Sequence, residues 1–448
     1  MKSPSHTCFR LREKDVLLLH IAHSVFLSYL GIWRKHLMLY PYLRNSTEMR
    51  THPDFVATAT RAEQTGKTIQ GVKGLSPLLK LIEFPQQVVL DYMHLVCLGH
   101  MSLLIRRWLP TLKTDDIANI DIALSSLRLP HNMAVVFNFP LRSSSDWKAK
   151  HFRLFVLHVG LPIVLPFLGK LQLSHFALYT LGIRLLHSPE SPDDVELADR
   201  VIQDYCRAAA TVYDESIELF SLHAHLHLAS QVRLHGGLAF TSAFCFESCI
   251  RSVKKRVHGT RDLAAQIAYW CDVEALLPRP TVSIESDGCF DKIDLSSPRL
   301  DSYRHELIEN IHRLGQNEFD SLFFLRYKRP FITFHSWIYD CSFNCASYLV
   351  SYDSIGGSTL FGNVIVFVKL ASRFYALIQR YDFADVNVSA FVDIPDEYRM
   401  KLNQMFPLVR LSNQYVMIPV VSVLRKCVCV HLPGHMCLSE VNVDFEHD

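Results

Sequence analysis

The sequence predicts a mixed fold: a short α/β segment, a long all-helical body, and a separate C-terminal module of β-strands. Three observations carry that reading. In "QQVVLDYMHLVCLGHMSLLIRRWL", residues 86–109, the apolar pattern switches from a β-branched run to helical spacing. From residue 102 to about 228, apolar positions recur at i, i+3, i+4 and i+7. Beyond about residue 329, short β-branched and aromatic runs such as "GNVIVFVKL" and "QYVMIPVVSVL" alternate with turn residues.

The first switch places one carboxylate, Asp91, between a predicted strand at 86–90 and a predicted helix from Tyr92 onward. A strand end opening into a helix is where open α/β sheets gather ligands and reactive groups. An aspartate there is also the ordinary N-cap of a helix, its oxygen accepting the unpaired N–H groups of the first turn. Both readings stand at this point, with His94 lying close by on either.

The helical body includes "DWKAKHFRLFVLHVGLPIVLPFL", "LSHFALYTLGIRLLHS" and a long segment that opens on the turn "SPESPDD". The acids at that start complement the helix dipole. A second helical stretch runs from about 246 to 274. Residues 277–303 carry Pro, Ser, Asp and Gly and read as a linker. Two apolar stretches, 16–33 and 154–168, invite a membrane reading, but a spanning helix needs about 20 apolar residues. The first contains His20 and His23 and the second two prolines, so both are expected to be buried core helices.

Composition excludes little by itself. The chain has 448 residues, 49% hydrophobic and 20% charged, a globular balance. A net charge of +2 means that nucleic-acid binding has to be argued from a local patch. Twelve cysteines are scattered without a C-x-x-C pair, which suits free thiols in a reducing compartment. No secretory leader is visible, so a nuclear or cytoplasmic protein is expected.

Three further features could hold chemistry. "AFCFESCIRSVKKRVHGTR" places Glu247 at a helix start, followed by Arg251, Lys254, Lys255, Arg256 and Arg261, five positive charges within 11 positions. Such a run is either a solvated helix face or a phosphate-contacting one. "HAHLHL" places His223 and His227 at metal-ligand spacing on a helix. Without the intervening Glu of the zinc-protease motif, a structural pair is the better reading. Cys245 and Cys249 share that spacing, but no two further ligands are indicated to complete a zinc site.

Taken in order, "RTHPDF", "GVKGLSPLLKL", "VVLDYMHLVCLGH", "DWKAKHFRLFVLHVGLPIVLP", "SLHAHLHLASQVRLHGGL" and "FCFESCIRSVKKRV" resemble the transposases of CACTA (En/Spm-like) elements and their host-borne relatives. The likeness covers about residues 40 to 277, more loosely the C-terminal β module. It implies an RNase H-like (DDE) core, interrupted by the helical insertion before its last catalytic acid; the strand-like runs after about residue 329 are expected to form a small separate β-barrel-like domain or a sandwich. By that resemblance Asp91 matches the second catalytic aspartate and Glu247 the glutamate. The two would hold Mg²⁺ or Mn²⁺, since hard cations prefer oxygen ligands and phosphodiester transfer uses a metal pair. The implied partner is DNA, at transposon ends, with pairing of two protein copies possible and no membrane association.

The departures from the family pattern set a limit. Only Asp15 and Asp54 precede Asp91, and neither sits at a convincing strand end to serve as the first aspartate. The cysteine knuckle expected before "YPYLRNSTEMRTH" is missing. The implied organisation is a degenerate segment at 1–39, a partial core at 40–101 and the insertion at 102–228. A last core segment at 229–276, a linker at 277–328 and the β domain at 329–440 complete it. The expectation is a transposase-derived protein, truncated and catalytically incomplete. The alternative is a non-catalytic DNA-binding or interaction protein using the Arg251–Arg261 run, and a weaker one is a membrane-associated protein anchored through 16–33.

Overall fold

The computed structural model describes residues 32–34, 36–42, 50–258, 261–277, 288–339, 345–354 and 356–442. Strands β1 (Ile32–Arg34) and β2 (Leu37–Leu39) come first, followed by helices α1 (His52–Thr65) and α2 (Ser102–Trp108). The helical body continues with α3 (Thr114–Ser125), α4 (Ala149–Leu154), α5 (Gly160–Val164), α6 (Lys170–His187), α7 (Pro192–Val212) and α8 (Leu228–His235). Helices α9 (Phe244–Arg256) and α10 (Leu263–Leu276) precede the sheet. Its strands are β3 (Gly288–Ile293), β4 (Leu322–Arg329), β5 (Ile332–His335), β6 (Leu349–Asp353), β7 (Thr359–Leu370), β8 (Arg373–Phe383), β9 (Leu408–Pro419), β10 (Val423–Leu432) and β11 (His435–Val441). Two helices interrupt them, α11 (Arg304–Arg313) and α12 (Asp396–Met405).

The chain divides into two compact units, one of residues Met1–Leu103 with Leu178–Ser242, the other of Leu104–Ala177 with Ala243–Asp448. In the first unit, α7 shows why its sequence is helical. Ser191 caps it by accepting the Asp194 N–H, Pro192 opens it, and Asp193 and Asp194 sit in the first turn. Its buried face, Val195, Ala198, Val201, Ile202, Tyr205, Cys206 and Ala209, follows the helical repeat. Helix α8 packs beside it, and Arg233 reaches back to Glu196 at 2.9 Å and Asp199 at 2.7 Å.

The expected strand at 86–90 is not formed. Those residues make a turn and then an extended stretch without a neighbouring strand, and β1 and β2 are the only strands of this unit among the described residues. A side-chain amide does the work of a strand edge. Leu90 N–H donates to Gln231 Oε1 at 2.7 Å, and Gln231 Nε2 donates back to Leu90 C=O at 3.0 Å. The β-branched run therefore satisfies its backbone without a sheet, something its period could not reveal. The segment after it is helical as expected, though wound as a π-helix over Met93–Met101. Gly99 permits that winding: a Cβ there would meet the His94 carbonyl oxygen at 2.8 Å.

In the second unit the strands pair antiparallel, and their ladders close a ring β7–β6–β10–β11–β9–β8–β7. Strand β4 extends the other half of β7, and β3 and β5 flank β4. One apolar cluster joins Tyr327, Phe334, Val350, Tyr352, Val364, Phe367 and Ile378. A second packs Leu300, Leu307 and Ile311, around α11, against Ile365, Val366, Val368, Leu370 and Leu377.

The segment 277–328, read as a linker, thus supplies β3, α11 and most of β4. The Pro/Ser/Asp-rich composition marks the turns between these elements, and the elements themselves are too short to show a period. The helical stretch 102–228 is shared between the two units rather than forming one body. Its part Ala149–Val164, in α4, a π-turn and α5, is buried on every side from His151 onward and packs on β10 and β11, where His158 Nδ1 and Ser439 Oγ lie 2.8 Å apart. That burial accounts for the continuous hydrophobicity of "LFVLHVGLPIVLPFL". No described helix is long and apolar enough to cross a membrane. Residues 16–31 of the other apolar stretch lie outside the described residues.

Candidate functional site

Asp91 sits at the entry to the π-helical segment with both carboxylate oxygens engaged. Oδ1 accepts the Met93 N–H at 3.3 Å and Oδ2 accepts the His94 N–H at 3.0 Å. The His94 ring nitrogen Nδ1 closes on Oδ2 as well. Two orphan donors of a first turn satisfied by one aspartate is the N-cap arrangement, and His94 holds the carboxylate in place. Asp91 is part-exposed, its side chain 26% accessible.

Glu247 belongs to the other unit. It lies in the first turn of α9, exposed, its N–H donating to Ala243 C=O at 2.9 Å. A carboxylate there is favoured by the helix dipole whatever else it does. The two acids matched by resemblance therefore fall in different compact units. Among the described residues no group of three His, Cys, Asp or Glu side chains is arranged to hold a metal ion.

The basic residues of α9 form a patch. Neither α9 nor α10 buries a single side chain. A cation–π contact anchors the start of α9, with the Arg153 guanidinium 4.6 Å from the centre of the Phe244 ring. Arg251, Lys254 and Lys255 are exposed and spaced three and four apart, so they share a face. Arg256 turns away to pair with Glu274 on α10. Arg251, Lys254, Lys255 and Arg261 make no ion pair among the described residues. Phe246 and Ile250, 67% and 47% exposed, lie on the same helix, which leaves α9 a cationic and apolar surface open to solvent.

His223 and His227 do meet, their Nε2 atoms 3.3 Å apart, and both are buried. Burial pushes the His227 imidazolium down to about 4, so the ring is neutral at physiological pH. Two imidazoles alone supply half of a tetrahedral set. Cys245 and Cys249 are both exposed on α9.

Two polar clusters were not foreseen. In the first unit, His100 and Tyr205 pair at 2.5 Å, and Tyr179 and His225 at 3.1 Å, with all four residues fully buried. The His100 and His225 rings lie 4.7 Å apart and tilted by 53°, joining the two pairs into one polar core. In the second unit, His131, His335, Cys345 and Lys426 converge from two loops and strands β5 and β10. Their members are scattered along the chain, so no local pattern joins them. The one visible signal is Lys426 itself, a cation inside the apolar run "VLRKCVCVHL".

No protein-family model, curated protein or solved structure matches this chain.

Proposed function

We propose that this chain is a transposase-derived protein that binds DNA through helix α9 and does not cleave it. The observation that carries the reading is the exposed face of Arg251, Lys254 and Lys255, with Arg261 just beyond, none engaged in an ion pair among the described residues. Such cations are available to phosphate oxygens, and contacts of this kind supply sequence-independent affinity. Support for transposase ancestry is the ordered series of motifs from about residue 40 to 277. Support for a lack of cleavage is the state of Asp91, whose two carboxylate oxygens are engaged in capping a helix. Mg²⁺ or Mn²⁺ would be required only for a catalytic role.

The test is fluorescence-anisotropy titration of duplex DNA at several salt concentrations. For a B-DNA ligand the slope of log K against log salt changes by about 0.9 per phosphate contact. Converting Arg251, Lys254 and Lys255 to alanine together is expected to flatten the slope by about 2–3 and weaken binding alike on unrelated sequences. Unchanged binding in that variant removes α9 as the contact. Strand cleavage with Mg²⁺ or Mn²⁺ that Asp91→Asn abolishes would restore the catalytic reading.

A further inference from the structure

Helix α10, "LAAQIAYWCDVEAL", is apolar but for Gln266, Asp272 and Glu274, the composition of a helix covered on every side. None of its side chains is buried. One side is accounted for by α9 and the turn that joins the two helices. Gln266 Oε1 accepts the His258 N–H at 2.8 Å, and its Nε2 donates to the His258 and Arg261 carbonyls at 3.0 and 2.8 Å. Glu274 pairs with Arg256 of α9. Trp270 and Val273, half-buried, follow Gln266 at i+4 and i+7 and share its side. The opposite side holds Ala264, Ala268, Cys271 and Ala275, all exposed. Ile267 borders it on one flank, and Tyr269 and Leu276, 62% and 84% exposed, on the other. Asp272 is the one charge there.

We propose that this face of α10 pairs with the same face of a second copy of the chain, the two helices running antiparallel about a two-fold axis. The area fits such a pair. The exposed apolar side chains of the face present roughly 600 Å² per copy, so that two copies bury on the order of 1,200 Å², enough for a specific interface. That is also about the most that a monomeric protein leaves open in one apolar patch.

The register selects a copy of itself. The steps of four, three and four between residues 264, 268, 271 and 275 read alike in both directions. An antiparallel copy therefore meets them in order, Ala264 against Ala275 and Ala268 against Cys271, as a two-fold contact requires. Side chains this small let the helix axes approach to about 8 Å, which brings the flanking Ile267, Tyr269 and Leu276 against the other helix. No Lys or Arg stands on α10, so the face offers nothing to a phosphate backbone or an acidic partner. Antiparallel order also sets the two Asp272 carboxylates on either side of the axis. The inference stands apart from DNA binding, whose cations lie on α9.

The experiment is sedimentation equilibrium of the nuclease-treated full chain, without DNA, at about 10 μM. The mass of two chains is expected. Ala268→Glu puts a charge at the centre of the paired face but at an exposed position of the single chain. It is expected to raise the dissociation constant at least about a hundredfold and give the mass of one chain, with the circular dichroism spectrum retained. The triple alanine variant of Arg251, Lys254 and Lys255 is expected to stay paired, so loss of pairing and loss of DNA binding are read separately. The two Cys271 thiols of an antiparallel pair lie within about 10 Å of each other. A short bismaleimide should therefore link Cys271 to Cys271 between chains, as read by mass spectrometry of the peptides, and if Ala268→Glu does not fold this link decides. A single-chain mass for the unmodified protein overturns the proposal, and assigns the face to another segment of the same chain or to a different protein. A two-chain mass that Ala268→Glu leaves unchanged, or one without the Cys271 link, overturns it as well.

Discussion

At the level of single residues, the carboxylate at position 91 shows how one side chain supports two readings until its neighbours are known. An aspartate at the start of an apolar helical repeat is both a metal-ligand candidate and a cap, and the Met93 and His94 N–H groups show that it caps, a role compatible with the other. If capping is what Asp91 contributes, Asp91→Ala costs about 1 kcal/mol in urea denaturation and Asp91→Asn much less, because asparagine caps nearly as well. Equal losses for the two substitutions would argue against capping. Lys426 offers a second test. Burial lowers its ammonium from 10.5 to about 8, so the folded protein binds fewer protons than the unfolded one between those values. Stability contributed at this residue is therefore lowest below pH 8 and is recovered as pH rises toward 10.5. Comparison of the native chain with Lys426→Met at pH 7.5 and 9.5 is expected to show the difference shifting in favour of the native chain by about 1–2 kcal/mol. A difference independent of pH would mean that Lys426 titrates normally.

At the level of elements, the long helices were readable, whereas β1 to β3 and most of β4 were not expected and the expected strand at 86–90 is not formed. Helix α7 announces itself through its cap, its opening proline, its acidic first turn and its repeat. The stretch 86–90 had the β-branched composition of a strand, yet a strand is a property of a pair, and the partner here is the amide of Gln231. Gln231→Leu leaves the Leu90 N–H and C=O without those bonds in a buried site, and about 2–4 kcal/mol of stability should be lost. A loss below about 0.5 kcal/mol would show that water or another group replaces the amide. The basic helix behaves in the opposite way. None of its residues is buried and Arg251, Lys254 and Lys255 are exposed, so the charge-removing substitutions that test DNA binding are expected to leave the melting temperature nearly unchanged. The positive run was plain in the sequence; that Arg251, Lys254 and Lys255 make no ion pair among the described residues was not.

At the level of the whole molecule, contacts distant in sequence decide which segments belong together. The helices from Thr114 to Val164 pack in the unit that contains the sheet. The apolar body of 149–164, the His158–Ser439 pair and the Asn132–Lys426 bond all join the helical layer to strands some 280 or more residues later. A fragment beginning at residue 278 would expose that surface. It is expected to lack cooperative thermal unfolding and to aggregate, whereas a chain that retains residues 104–177 with the sheet should not show the same loss. Cooperative unfolding of the sheet fragment alone would show that the helical layer is dispensable.

The sequence by itself determined where chain segments are helical, where charge concentrates, and that the C-terminal third is built from strands. Those properties depend on neighbours within about one helical turn or one strand, which periodicity and composition report directly. It also carried the ordered motifs from which transposase ancestry is proposed. Tertiary structure alone decided that residues 86–90 bond to a glutamine rather than to a strand, and that Asp91 and Glu247 lie in different units. It alone brought Cys345, His335, His131 and Lys426 together. Each of these depends on a partner far along the chain, and a local pattern holds no record of which distant backbone or side-chain group will satisfy a buried hydrogen bond or charge.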